Sequence, residues 1–189
     1  MIGKTIHQKT LQFVRGLQRF AARWWYPPLV AMLAIADNFV LVLPTDGILV
    51  SSVMLVPKRW LLLAVVSTIG STIGALTLAG LVEVYGLPLV VDLYPSVVES
   101  PSWALTSRFF EEYGLYLVFL VSMTPLMQQP VLILAGLAVT PLHELAPVVF
   151  LGKGVKSVIL AYIGSHAPRL LKNLWGVQGE LKDVGIRLD

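Results

Sequence analysis

The sequence has no cysteine and few charged residues. Without cysteine, the chain has no disulfide scaffold, no thiolate metal site and no cysteine nucleophile. Charged residues make up 13% and hydrophobic residues 56% of the 189 residues, against about 25% and about 45–50% in ordinary globular proteins. The mean hydropathy of +0.77 agrees with this bias. This number of charged residues is too small to cover the surface of a water-soluble protein of 20.7 kDa, so the composition indicates an integral membrane protein.

Sequence motifs of common catalytic sites are also missing. The chain contains no nucleophile elbow, no phosphate-binding loop, no zinc-protease motif and no glycine-rich dinucleotide fingerprint. His7, His143 and His166 are isolated and lack the spacing of metal ligands. We therefore expect no enzyme, no metal and no bound cofactor. Nucleic-acid binding is not expected either, because the basic residues lie beside apolar segments rather than on a soluble basic face.

The basic residues are concentrated at the amino terminus. Residues 1–24 contain five Lys or Arg and no acid, and Arg15, Arg19 and Arg23 form an i, i+4, i+8 row opposite an apolar face. This pattern predicts an amphipathic helix that lies in the membrane surface. A solvated basic arm is the alternative.

Two segments are long and apolar enough to be membrane spans. Residues 60–82 carry no charge over 23 positions, and Gly70 and Gly74 have the small-xxx-small spacing of closely packed helices. Residues 145–167 form the second predicted span, although it contains Lys153 and Lys156. The linker at 83–112 holds five acids and one base, and residues 168–189 form a polar tail.

Two further apolar segments are interrupted in the middle. Residues 27–57 contain Pro44 between two aspartates, and residues 114–142 contain Pro125 and Pro130 on either side of two glutamines. A plain membrane span of about 20 apolar residues does not tolerate such breaks unless the freed backbone is buried in protein. We therefore predict two re-entrant helical hairpins, each followed by a span.

The spacing of these elements suggests an internal duplication. Pro57 precedes Gly70 by 13 residues, and Pro141 precedes Gly154 by the same distance. With two re-entrant hairpins, both termini and residues 58–59 share one side, which collects 11 of the 14 bases. The positive-inside rule then places both termini in the cytoplasm of a multi-pass cell-membrane protein. If the chain instead crossed the membrane completely at both interrupted segments, the positive-inside rule would be satisfied less well. The hairpin topology makes the halves inverted relative to each other, which is the layout of many transport sites.

Polar residues at membrane depth are the candidate binding site. Ionisable residues inside a membrane are functional candidates by default, because burying them is costly. Lysines three residues apart share a helix face and attract a phosphate as point charges, and an aspartate at that depth is a candidate proton carrier. The alternatives are that the aspartates only pair with the lysines, or lie shallow enough to reach water. The predicted substrate-binding residues are Asp37, Asp46, Ser122, Gln128, Gln129, Lys153 and Lys156.

Several short motifs lie in a characteristic order along residues 29–165. They are Leu43-Pro44-Thr45-Asp46, Gly70-Ser71-Thr72-Ile73-Gly74, Tyr113-Gly114, Ser122-Met123-Thr124-Pro125, Ala135-Gly136, Leu151-Gly152-Lys153 and Lys156. In order and spacing they resemble the DedA superfamily, also called the VTT domain, and most of all its small YqaA-type bacterial members. The family pattern has arginines beside its second hairpin proline, and the matching positions here are Ser122 and Gln128. The YqaA-type members tend to carry an acid where Gln129 stands.

The resemblance implies a fold and a function. The fold is an all-α inverted repeat of two hairpins, broken at Pro44, Pro125 and Pro130, with Gly136 joining the packing glycines. The function is that of a transporter, flippase or scramblase for an anionic lipid headgroup, either a polyprenyl phosphate or a phospholipid, with a proton gradient as the candidate energy source. Membrane lipids are the expected partners, and a homodimer is possible for so small a chain. There are two alternatives. One is a non-transporting scaffold that binds a partner through the face of Gly70 and Gly74, and the other is an ion channel.

Overall fold

The computed structural model describes residues 20–21, 23–39, 45–93, 101–124 and 127–175. These ranges contain no β-strand, so the prediction of an all-helical fold is confirmed for them. The predicted surface helix at 1–24 lies mostly outside the described residues, as do Pro44 and Pro125. The α-helices of the described ranges are α1 (Tyr26–Ala36), α2 (Thr45–Leu55), α3 (Trp60–Leu93), α4 (Pro101–Tyr113), α5 (Leu115–Met123), α6 (Gln129–Leu137) and α7 (Leu142–Trp175).

Proline marks the beginnings of several helices. A proline lies in the first turn of α1 and of α6, and Pro57 opens the 3-10 turn that leads into α3. Proline suits a first turn because its missing N–H has no helical partner there and its fixed φ is helical. Pro130, predicted as a hairpin-breaking residue, lies in the first turn of α6.

The two longest helices, α3 and α7, each contain 34 residues. The segments Pro57–Asp92 and Leu142–His166 are long and apolar enough to cross a membrane. The continuous part of α3 ends before Gly86, close to the predicted end at Val82, because the backbone of Gly86 is not helical (φ 68°, ψ −157°). A second helical segment follows and ends at Leu93. Together α3 and α4 make most of the described part of the predicted linker helical.

The long helices pack against each other, and the four short helices on either side of the two breaks pack onto them. Helices α1 and α6 pack on α3, whereas α2 and α5 pack mainly on α7. One apolar cluster joins α3, α5, α6 and α7 around Leu78 and Leu132, and a second joins α1, α2 and the start of α3 around Val53 and Leu63. Each interrupted segment is thus divided between both long helices.

Glycine allows the closest helix approaches. A Cβ atom at Gly74 would lie 2.6 Å from the carbonyl oxygen of Ile35 in α1, and a Cβ at Gly70 would overlap the backbone of α1. A Cβ at Gly136 in α6 would lie 2.5 Å from a carbonyl oxygen of α3, and one at Gly152 in α7 would lie 2.7 Å from a side chain of α5. These four glycines lie at three helix crossings, where small residues permit close packing. The face of Gly70 and Gly74 is therefore covered by α1 within the same chain.

Rows of large apolar side chains cover the outer faces of the long helices. Their members are spaced by four residues, so each row runs along one helix face. In α3 the row is Leu61, Val65, Ile69 and Ile73, and in α7 it is Leu151, Val155, Ile159 and Ile163, all of them exposed. Contiguous apolar rows of this length are unusual on proteins surrounded by water.

Gly70→Ala should lower the stability of the fold by about 1–3 kcal/mol, because the added methyl group meets the backbone of α1. Gly80→Ala, on the same helix, is the matched control, because its Cβ would meet only Leu142 Cδ1 at an ordinary 3.6 Å. Thermal unfolding of the purified protein in detergent checks this. An equal midpoint for the two variants would contradict close packing of α1 at Gly70.

Candidate functional site

The polar turn after α1 is held by Asn38. Its side chain is fully buried, and Nδ2 donates hydrogen bonds to the carbonyl oxygens of Ala34 at 3.0 Å and Ser71 at 3.2 Å. The first bond satisfies an end carbonyl of α1, and the second joins this turn to α3. Asn38 was not among the predicted binding residues, although its place beside Asp37 in an apolar segment was a usable signal.

Two amide side chains at the start of α6 reach this turn from the second interrupted segment. Gln128 Nε2 donates to Asn38 Oδ1 at 2.7 Å, and Gln129 Nε2 donates to the Asp37 carbonyl oxygen at 3.1 Å. Both glutamines are buried. Residues about 90 positions apart in sequence are thereby joined by hydrogen bonds shielded from water, which connects the two helix breaks directly.

An ion pair links α2 to α7. Lys156 Nζ lies 3.0 Å from Asp46 Oδ2, and the lysine side chain is 14% exposed. Asp46 lies in the first turn of α2, where a negative charge also interacts favourably with the helix dipole. The pairing that the sequence left as an alternative is therefore present for Asp46 and Lys156.

Lys153 lies one turn before Lys156 and is almost completely buried, with 2% of its surface exposed. Within the described part of the chain, its ammonium group makes no hydrogen bond and no ion pair at contact distance. It interacts electrostatically with Lys156, Asp37 and Asp46. Two lysines and two aspartates thus form one cluster, in which Lys153 has no direct ion pair among the described residues.

Two polar side-chain atoms are buried without a hydrogen-bond partner among the described residues. They are Ser122 Oγ and Gln129 Oε1. Ser122 lies against Gly152, the neighbour of Lys153 in α7. Buried polar atoms in proteins are nearly always paired with protein or water. Ser122 therefore has unused hydrogen-bonding capacity beside the residue that precedes Lys153 in α7.

The structure brings six of the seven predicted binding residues together in two connected groups. The four charged residues form the cluster around Lys153, and the two glutamines contact the turn that carries Asp37. Ser122 lies in α5 against α7. Within the described ranges, no group of three or more His, Asp or Glu side chains is placed to hold a metal ion. The arrangement therefore offers ammonium groups and amides for binding an anion.

Breaking the ion pair should cost about 0.5–1 kcal/mol, the range of a partly exposed pair. Asp46→Asn and Lys156→Gln should each lower the free energy of unfolding by this amount, and the double variant should lose little more than either single variant. Unfolding in detergent followed by circular dichroism measures all three. Lys58→Gln, at an exposed lysine, is the control, and its effect should add to that of Asp46→Asn. Additivity for Lys156→Gln as well would show that the pair has no coupling energy.

Comparison of the chain with protein families, with curated proteins and with solved structures gives no match. The function must therefore be argued from the residues of the site.

Proposed function

We propose that this chain is an integral membrane protein that moves an anionic lipid headgroup across the bilayer. The membrane part of the proposal is supported by the two helices long enough to span and by the exposed apolar rows along both. Hydrocarbon is the solvent in which such rows cost least. The charge distribution of the sequence supports cytoplasmic termini.

The packing pattern supports an inverted repeat. In each half, the helix before the break packs on the long helix of its own half, and the helix after the break packs mainly on the long helix of the other half. This exchange applies to α1 and α2 in the first half and to α5 and α6 in the second. Inverted repeats with interrupted helices place their binding sites near the membrane midplane, where the repeats meet. The hydrogen bond from Gln128 to Asn38, which joins the two helix breaks, supports a site between the proposed repeats.

The observation that carries the functional proposal is the almost completely buried side chain of Lys153, which has no direct ion pair among the described residues. A buried charge costs several kcal/mol unless an opposite charge or hydrogen bonds compensate it. The described residues supply electrostatic attraction from Asp37 and Asp46 but no direct ion pair to Lys153. A phosphate group beside Lys153 would supply the missing anion. The proposal also agrees with the resemblance of the sequence to the DedA superfamily.

The roles of the residues follow from their positions. Lys153 would bind the phosphate, and Lys156 would assist by exchanging Asp46 for it. Ser122 would donate its free hydroxyl, which lies on the adjoining helix. Asp37, next to the cluster, is the candidate proton carrier. The glutamines join the two hairpin turns and would have to release them for a headgroup to pass.

The surface proposed for the scaffold alternative is not available to a partner protein. A partner was expected on the face of Gly70 and Gly74, and α1 occupies this face within the chain. A scaffold would need another surface.

Lys153→Met tests the proposal, because methionine keeps the apolar length of the side chain and removes its charge. We expect loss of at least about nine-tenths of lipid translocation, which corresponds to about 1.4 kcal/mol. We also expect unchanged or increased thermal stability, since replacing a buried charge by an apolar group of similar size is often stabilising. Translocation is measured in liposomes with a fluorescent phospholipid that is quenched from outside, and then with a polyprenyl phosphate under a proton gradient.

Lys58→Met is the matched control, because Lys58 is an exposed lysine at the start of the first long helix. It should translocate lipid like the wild type. If Lys153→Met also keeps the wild-type rate while the wild type is active, the headgroup does not bind at Lys153. A loss of both stability and activity would instead assign Lys153 to structural pairing with the aspartates.

A further inference from the structure

Helix α4 presents three different faces. At 3.6 residues per turn, successive residues are about 100° apart around the axis. Trp103 and Phe110 lie on one face and pack against the core cluster that includes α5 and α6. This first face attaches α4 to the second half of the molecule.

The second face of α4 is charged. Arg108, Glu111 and Glu112 are all exposed and lie within about 100° of one another on the helical wheel. Charged side chains of this kind remain in contact with water. This face of α4 is therefore expected to point toward water.

The third face of α4 is apolar and uncovered. Leu105, Phe109 and Tyr113 follow the i, i+4, i+8 spacing and are 56%, 43% and 48% exposed. The rings of Phe109 and Tyr113 lie 6.1 Å apart, so the row is continuous. A soluble amphipathic helix has one apolar face, directed to the core. In α4 the row adjoins the core-facing side and extends it beyond the part that the protein covers, so an occupant other than water is favoured there.

We propose that the row of Leu105, Phe109 and Tyr113 binds the bilayer interface, so that α4 lies in the membrane surface while its first face stays packed on the protein. The proposal rests on the membrane placement of α3 and α7 given under Proposed function. Helix α4 follows α3 after only seven intervening residues and leads through Gly114 into α5. It therefore lies at an end of a membrane-long helix, which is where an interface is found.

A lipid surface fits this row better than a second copy of the chain. A stable protein interface buries roughly 800 Å² on each partner, and three half-exposed side chains in a single row provide too little area. The row lies beside a charged face and ends in tyrosine, an arrangement typical of interfacial helices.

The charges of α4 define which lipids it binds. Its exposed charged face has one base and two acids, so anionic lipids offer it no net attraction. Binding then depends on insertion of apolar side chains and is indifferent to anionic lipid content. Because α4 packs on α6 and is joined to α5, its binding would fix the depth of the second hairpin in the bilayer.

The absence of cysteine allows a direct test by single-cysteine spin labelling of the full chain. Nitroxide labels are placed by Leu105→Cys and Phe109→Cys, with Arg108→Cys and Glu111→Cys as matched positions on the charged face. In phosphatidylcholine vesicles, collisions with oxygen should exceed collisions with a water-soluble nickel chelate at 105 and 109, and the order should reverse at 108 and 111. Addition of phosphatidylglycerol should leave these ratios unchanged.

Labels at Ile69→Cys and Ile73→Cys, on the exposed row of α3, separate the two proposals. Oxygen-dominated collisions there with nickel-dominated collisions at 105 and 109 would overturn the proposal for α4 and leave the membrane placement intact. Nickel-dominated collisions at all four positions would overturn both. Dipolar broadening between labels at 105 or 109 would show that a second copy covers the row, and would also overturn the lipid proposal.

Discussion

Polar groups that are buried away from water need hydrogen-bond partners within the protein, and this need determines the arrangement at the centre of the structure. Both interrupted segments bring a turn into a mostly apolar interior, where an unpaired amide or carbonyl costs several kcal/mol. Asn38 meets this need at the first turn by bonding the end of α1 and the backbone of α3. The glutamines of the second segment bond the same turn. The two halves of the chain are consequently joined through the turns that interrupt their helices. A change in the position of one turn would therefore affect the hydrogen bonds of the other.

The charged residues obey the same constraint less completely. Lys156 reaches Asp46 directly, whereas Lys153, one turn earlier and more deeply buried, has only electrostatic attraction from nearby carboxylates. Close helix packing at Gly152 keeps the backbone of α7 against α5, so Lys153 has little freedom to move outward. An incompletely compensated charge in a rigid setting is a feature that folding alone does not favour, which is why it suits a binding role.

Much of the element order could be predicted from the sequence, because prolines and charges interrupt apolar segments at identifiable positions. The lysine pair on one helix face also followed from spacing alone. The pairing partners of these residues could not be predicted from spacing. Nothing in the local sequence distinguishes Lys156 from Lys153 as the partner of Asp46, and the bond from Gln128 to Asn38 joins residues 90 apart in sequence. The covering of Gly70 by α1 rather than by another chain depends on tertiary packing. The helical segment between Gly86 and Leu93 was not predicted, because the exposed acids at Glu83 and Asp92 resemble a linker.

On the proposed function, the unequal pairing of the two lysines gives them different tasks. An anion that approaches Lys156 must compete with Asp46 at 3.0 Å and gains only the difference between two ion pairs. An anion that approaches Lys153 breaks no direct contact among the described residues and gains a complete ion pair in a poorly solvated position. Binding would therefore begin at Lys153, and displacement of Asp46 from Lys156 would follow. Because Asp46 belongs to α2, that second step would loosen the first hairpin from α7, which is the movement that passage of a headgroup requires.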